Sequence, residues 1–153
     1  MWANILVALS NAPCLYPLSL SLAKKDYLTA CVLAFVSTAS FTSHLVENHK
    51  HGMPGIDFST TVSYYLNRMD VLGCAIVGAR LAYLFYNRYG LNYGIMWDNK
   101  FAFFMYALPL VLMAISEYDK YNAKLKNMYI VTHSLWHISV FTVIGGFLKN
   151  FIY

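Results

Sequence analysis

Charge is scarce in this 153-residue chain: only 12% of its positions are Asp, Glu, Lys or Arg, where soluble domains average about 25%. That shortage excludes an ordinary water-soluble globule. No internal repeat or low-complexity tract is present, and no stretch is polar enough for a separate soluble domain. The 11 basic and 7 acidic residues leave a net charge of only +4. The basic ones stand at the ends of apolar runs, as headgroup contacts do, so no nucleic-acid partner is expected. The cysteines Cys14, Cys31 and Cys74 are odd in number and lie within apolar runs, where they read as small buried hydrophobes that fix no redox compartment. Met1-Trp2-Ala3-Asn4 lacks the basic start of a secretory signal, and the first apolar segment is therefore expected to stay as a span.

What is abundant is apolar surface. Hydrophobic residues make up 59% of the chain and aromatic ones 17%, and runs of about 20 apolar residues are the unit that crosses a bilayer as helix. Five such runs give an all-α polytopic transmembrane helix bundle, one integral membrane domain over 1–153, with spans at about 2–23, 27–46, 60–87, 101–117 and 128–148. Pro13 and Pro17 predict a kink in the first, with Ser19 and Ser21 available for the freed carbonyls. Residues 47–59 read as a loop with a turn at Met53-Pro54-Gly55, in which His49 and His51 are solvated. Gly73 and Gly78 allow a neighbour to approach the third span closely. Residues 89–100 read as a loop with an interfacial Trp97, and 118–127 as a charged connection, with Glu117 and Asp119 at headgroup level. The aromatic-rich stretches read as packing and interfacial belt.

His133 and His137 stand out within the last span. Side chains four apart on a helix share a face, roughly 6 Å apart along the axis, and polar groups away from water need partners. Alternating the direction of successive spans brings more polar residues to their depth. Ser40 and His44 end the second span on the side where the chain starts; Asp70 opens the third from that side; the histidine pair opens the fifth from it. All five occupy one layer near the N-terminal face. Lys and Arg are balanced between the two faces, and the short Lys24-Lys25 loop tips the N-terminal face towards the lumenal or extracellular side.

Three histidines are the commonest ligands of a catalytic zinc that keeps one position open. In this layer His44, His133 and His137 would be the metal ligands, with Asp70 placed to take a proton from an activated water and Ser40 to hydrogen-bond a developing oxyanion. The bonds within reach are esters and amides of membrane lipids. The blander alternatives are that Asp70 pairs with Arg68 or Arg80 and that Ser40 bonds back to its own helix.

Ser40-x-x-x-His44 on the second span, Asp70 on the third and His133-x-x-x-His137 on the last resemble, in kind and order, the CREST superfamily of membrane hydrolases. That group includes alkaline ceramidases, adiponectin receptors and the branch with myomaker and a GPI-processing phospholipase A2. The wording Thr132-His133-Ser134-Leu135-Trp136-His137, with Met69-Asp70-Val71-Leu72-Gly73, is most similar to the last branch. The resemblance implies zinc on the three histidines with Ser40 and Asp70 beside the bound water. It departs in span number, five here against seven there. A missing pair of spans between Asp70 and His133 preserves the sidedness of the later spans and leaves the bundle less enclosed, favouring association with itself or a larger membrane assembly.

Two functional expectations result. One is a zinc-dependent intramembrane hydrolase of a lipid ester or amide. The other is a non-catalytic membrane protein, either a myomaker-like remodelling factor or a small subunit of a larger assembly. A channel or transporter has only Arg80 near mid-span to support it, and a lone arginine there can pair or snorkel.

Overall fold

A computed structural model describes residues 2–47, 55, 60–122 and 124–153. Among them there is no strand, and five helical stretches are long and apolar enough to cross a membrane: Trp2–Ala23, Tyr27–Val46, Thr60–Tyr89, Lys100–Tyr121 and Asn127–Ile152. The chain is an all-α integral membrane bundle.

Proline breaks the first span. Helix α1 (Trp2–Leu9) gives way to a 3₁₀ turn at Ala12–Cys14, and α2 (Leu15–Ala23) resumes beyond it. Pro13 has no N–H to continue the ladder. The serines expected to serve the freed carbonyls bond elsewhere: Ser19 Oγ donates to the carbonyl of Tyr16 (2.9 Å) and Ser21 Oγ to that of Pro17 (2.8 Å). A turn with Lys25 at φ 58° leads to α3 (Tyr27–Val46), capped by Asp26, whose Oδ1 accepts from the Thr29 amide at 3.1 Å.

Helix α4 (Thr60–Tyr89) comes next and ends at Gly90, which takes φ 61°, a conformation glycine adopts without strain. The expected loop over 89–100 holds a short helix instead, α5 (Tyr93–Asp98), where Asn92 Oδ1 accepts from the Gly94 amide at 3.0 Å. The fourth span is two helices, α6 (Lys100–Tyr106) and α7 (Leu108–Tyr121), parted at Ala107 just before Pro109. Helix α8 (Lys126–Phe147) runs on into a π turn at Leu148–Ile152. Both flanking helices extend into the connection expected over 118–127, α7 to Tyr121 and α8 from Lys126.

The expected alternation of direction is present. Asn4 Nδ2 donates to the carbonyls of His44 (2.9 Å) and Glu47 (2.7 Å), joining the start of α1 to the end of α3. At the opposite face Tyr153 donates to Asp26 Oδ2 (3.1 Å) and Tyr89 to the carbonyl of Phe151 (2.9 Å). Arg80 is neither free nor bonded to Asp70: its Nη2 reaches both carboxylate oxygens of Asp26 at 2.9 and 3.2 Å, and its Nε donates to Thr29 Oγ1 at 2.9 Å. Burial pushes the Asp26 carboxyl up, but the Thr29 and Tyr153 hydrogen bonds and the Arg80 guanidinium together hold it below its ordinary value.

Helix α3 is the centre of the packing, against α1, α2 and α4, and α8 packs on α7 and α2. Between them lies a core that includes Leu33, Val36, Val77, Phe141 and Ile144. Gly73 is where α4 meets α3, since a Cβ there would lie 2.9 Å from Val36 Cγ2 and 3.0 Å from Val36 Cα. Gly78, expected to act likewise, has no described atom within 4 Å of such a Cβ. Helix α4 packs chiefly on α3, and α7 chiefly on α8. The space they leave is an apolar cavity of about 500 Å³ walled by α3, α4, α6, α7 and α8.

Candidate metal centre

The last turn of α3 carries His44, and successive turns of α8 carry His133 and His137. Their exposures are 4%, 4% and 1%, and ring centroids are 4.6 to 4.9 Å apart. One ligand-capable atom from each lies within 4.8 Å of the other two. Residues 44, 133 and 137, widely separated in sequence, thus meet at one point, as the alternation of spans predicts.

Each ring is held from outside through its Nδ1. His137 Nδ1 lies 2.7 Å from Ser10 Oγ, whose own proton goes to the carbonyl of Val7 at 2.6 Å. His133 Nδ1 lies 3.1 Å from Ser116 Oγ, which donates to the carbonyl of Met113 at 2.9 Å. His44 Nδ1 lies 3.1 Å from Glu47 Oε2, and the Glu47 carboxylate is paired through Oε1 with Lys120. In all three cases the outer oxygen can accept, an arrangement that suits the tautomer with the proton on Nδ1 and the lone pair of Nε2 turned inward.

In those tautomers the inner nitrogens face one another as acceptors. His44 Nε2 and His133 Nε2 are 3.2 Å apart, a separation that a shared proton or a cation between them satisfies. Two nitrogens held about 2.0–2.1 Å from a tetrahedral ion lie about 3.3 Å apart, so this pair already has the right spacing. The set can hold a metal ion, and its pattern of Nδ1–H donated outward and Nε2 turned inward is the one metal-ligating histidines use.

The other two expected residues stand beside it. Asp70 is 6% exposed; its Oδ2 is 3.8 Å from His44 Nε2, and among the described residues its Oδ1 has no hydrogen-bond partner. It pairs with neither arginine offered by the alternative reading: Arg80 is engaged with Asp26, and Arg68 lies over the Tyr64 ring at 5.1 Å. Ser40 Oγ lies 3.3 Å from His137 Nε2 and donates to it when that ring carries its proton on Nδ1. Ser40, Asp70 and His137 line the polar end of the cavity. Trp136 beside them and Phe103, Tyr106 and Phe147 further along give it aromatic walls.

Ser10, Ser116 and Glu47 are the residues that sequence reasoning missed. A signal existed for Ser10, which directly precedes the proline-broken turn, and for Glu47, three positions after His44. Ser116 offers none beyond being a serine in a span. Asp119, expected at headgroup level, is 5% exposed and accepts from Thr132 Oγ1 at 2.9 Å, tying α7 to α8 beside His133. His49 and His51 lie outside the described residues.

Comparison with known proteins places the chain beside a viral relative. It is 51% identical over 150 residues to "Uncharacterized protein L282" of Acanthamoeba polyphaga mimivirus, a match that covers 98% of this chain and 99% of that one. No family model matches the chain, and no solved structure does.

Proposed function

Taking as premise that the chain belongs to the family of the mimiviral protein L282, we propose that it is a zinc-dependent intramembrane hydrolase cleaving an ester or amide bond of a membrane lipid. The observation that carries the proposal is the convergence of three outward-anchored imidazoles on one point at the polar end of an apolar cavity. The order of motifs shared with the CREST superfamily supports the same reading.

A zinc ion on His44, His133 and His137 would supply Lewis acidity and a water acidic enough to lose its proton near neutral pH. The remaining work falls to the chain's own side chains. The cavity, within the size range of small-ligand sites, takes an acyl chain and keeps bulk water from the reacting carbonyl. Asp70 accepts the proton of the attacking water and returns it to the leaving oxygen or nitrogen, so that hydroxyl joins the acyl carbon as the carbon–oxygen or carbon–nitrogen bond breaks. Ser40 turns its hydroxyl from His137 to the oxyanion. The short Lys24-Lys25 turn favours placing this layer towards the lumenal or extracellular leaflet.

Elemental analysis of the purified chain tests the metal: one zinc per chain is expected, lost in His44→Ala, His133→Ala and His137→Ala alike. Turnover of acyl-ester and N-acyl lipids in vesicles should then vanish in His133→Ala. A chain without zinc, or undiminished turnover in that variant, overturns the proposal.

A second reading, a non-catalytic remodelling factor or assembly subunit, draws on the exposed aromatic side chains of α4, where Tyr64, Tyr65, Tyr83 and Tyr86 lie open. A stable monomer in detergent that hydrolyses lipid would remove it.

A further inference from the structure

The outer partners of the three imidazoles are not alike. Ser10 and Ser116 are neutral and bonded to their own helices, whereas Glu47 is an anion that gathers groups from three other helices. Its Oε2 lies 3.1 Å from His44 Nδ1, its Oε1 pairs with Lys120 of α7, and its Oε2 lies 3.5 Å from Tyr129 Oη of α8. Its backbone carbonyl accepts from Asn4 of α1 at 2.7 Å. Glu47 is 8% exposed, and a carboxylate so withdrawn from water needs partners of this strength.

His44 needs a firmer anchor than the other two histidines. His133 and His137 sit within a continuous helix that sets their relative position, whereas His44 stands in the final turn of α3, where the backbone becomes extended at Glu47 (φ −63°, ψ 122°). Terminal turns leave carbonyls unpaired, and Asn4 meets two of them, those of His44 and Glu47. The turn so fixed sends the Glu47 side chain back over the ring three residues before it. Helix α3 packs chiefly on α1, α2 and α4, and the Lys120 side chain ties its end to α7, the helix that also carries Ser116.

We propose that Glu47 is a positioning residue of the metal centre: its carboxylate locks His44 as the Nδ1–H tautomer, makes Nε2 a stronger donor, and so sets the affinity of the site for a divalent cation. The proposal rests on the reading of the three histidines as metal ligands and adds to it a residue outside the five expected from sequence.

The test uses the full chain in detergent, with zinc affinity from chelator competition, the absorption spectrum of the cobalt-loaded form, and thermal unfolding of the metal-free form. Carboxylate partners of ligating histidines are worth about 10–100-fold in metal affinity. Glu47→Ala should weaken zinc by that factor and shift the cobalt bands. Glu47→Gln keeps an acceptor without the charge and should fall between it and the native chain. Lys120→Met, which removes the helix tie but not the carboxylate, should lower the unfolding temperature and leave the cobalt bands in place. Zinc affinity in both Glu47 variants within about twofold of native overturns the proposal, as does an equal loss of affinity and equal band shift in Lys120→Met, which would make the effect one of helix packing. If Glu47→Ala does not fold, Glu47→Gln decides. A native chain that binds neither zinc nor cobalt overturns the metal reading itself, an outcome recognisable before any variant is compared.

Discussion

Ser116 owes its role to where its own proton goes. With that proton on the Met113 carbonyl, the oxygen is left to accept from His133 Nδ1, which is the tautomer that frees Nε2 for a metal. Ser116→Ala should therefore strand a buried N–H, destabilising the chain by about 1–3 kcal/mol and weakening zinc binding. Ser139→Ala, on α8 but bonded only to its own Trp136 carbonyl among the described residues, should do neither. Unfolding temperature and chelator competition on the two variants check this. The contrast also shows what the sequence can tell at this scale. His44, His133, His137, Asp70 and Ser40 were visible because each is a polar group in an apolar run, but a serine in a membrane helix can always satisfy itself by back-bonding. Nothing in its neighbours says which serine also faces a histidine. Glu47 was hidden differently: its charge reads as the start of a loop, and only the extended backbone after α3 turns it inward.

Helices were more legible than their irregularities. Hydropathy located all five long apolar stretches, since a run of about 20 apolar residues has few other uses. The break in the first was announced by its prolines; hydropathy did not show that the fourth would break at Ala107 or that 93–98 would coil, because capping by Asn92 and local packing settle those points. The two glycines of α4 make the same lesson testable. They look alike in sequence, yet only Gly73 is pressed against backbone, that of Val36. Gly73→Ala should cost about 1–3 kcal/mol through overpacking of α3 on α4. Gly78→Ala meets open space and should be neutral, or stabilising by up to about 1 kcal/mol from helix propensity. Thermal unfolding of both in one detergent separates them; equal losses would mean that α4 does not meet α3 at Gly73.

At the scale of the whole molecule, what matters is that the helices close around the histidines but not around the cavity. The layer could be foreseen because alternation of direction fixes which ends of spans share a face. The cavity could not, because it depends on which helices lie side by side, and hydropathy carries no information about lateral neighbours. Helix α4 rests on α3, α7 rests on α8, and the gap between α4 and α7 leads towards Ser40, Asp70 and His137. Gly78 and Leu81 face that gap from α4, with Leu110 and Met113 opposite on α7. A bulky side chain at Gly78 enters the cavity with no described atom in its way near the backbone, about two helical turns along α4 from Asp70. Gly78→Trp should therefore obstruct the acyl chain, lowering lipid turnover at least tenfold, a barrier increase of about 1.4 kcal/mol or more, while zinc content and unfolding temperature stay near native. Unchanged turnover in a zinc-loaded Gly78→Trp chain would mean that the substrate reaches the metal by some route other than the opening between α4 and α7.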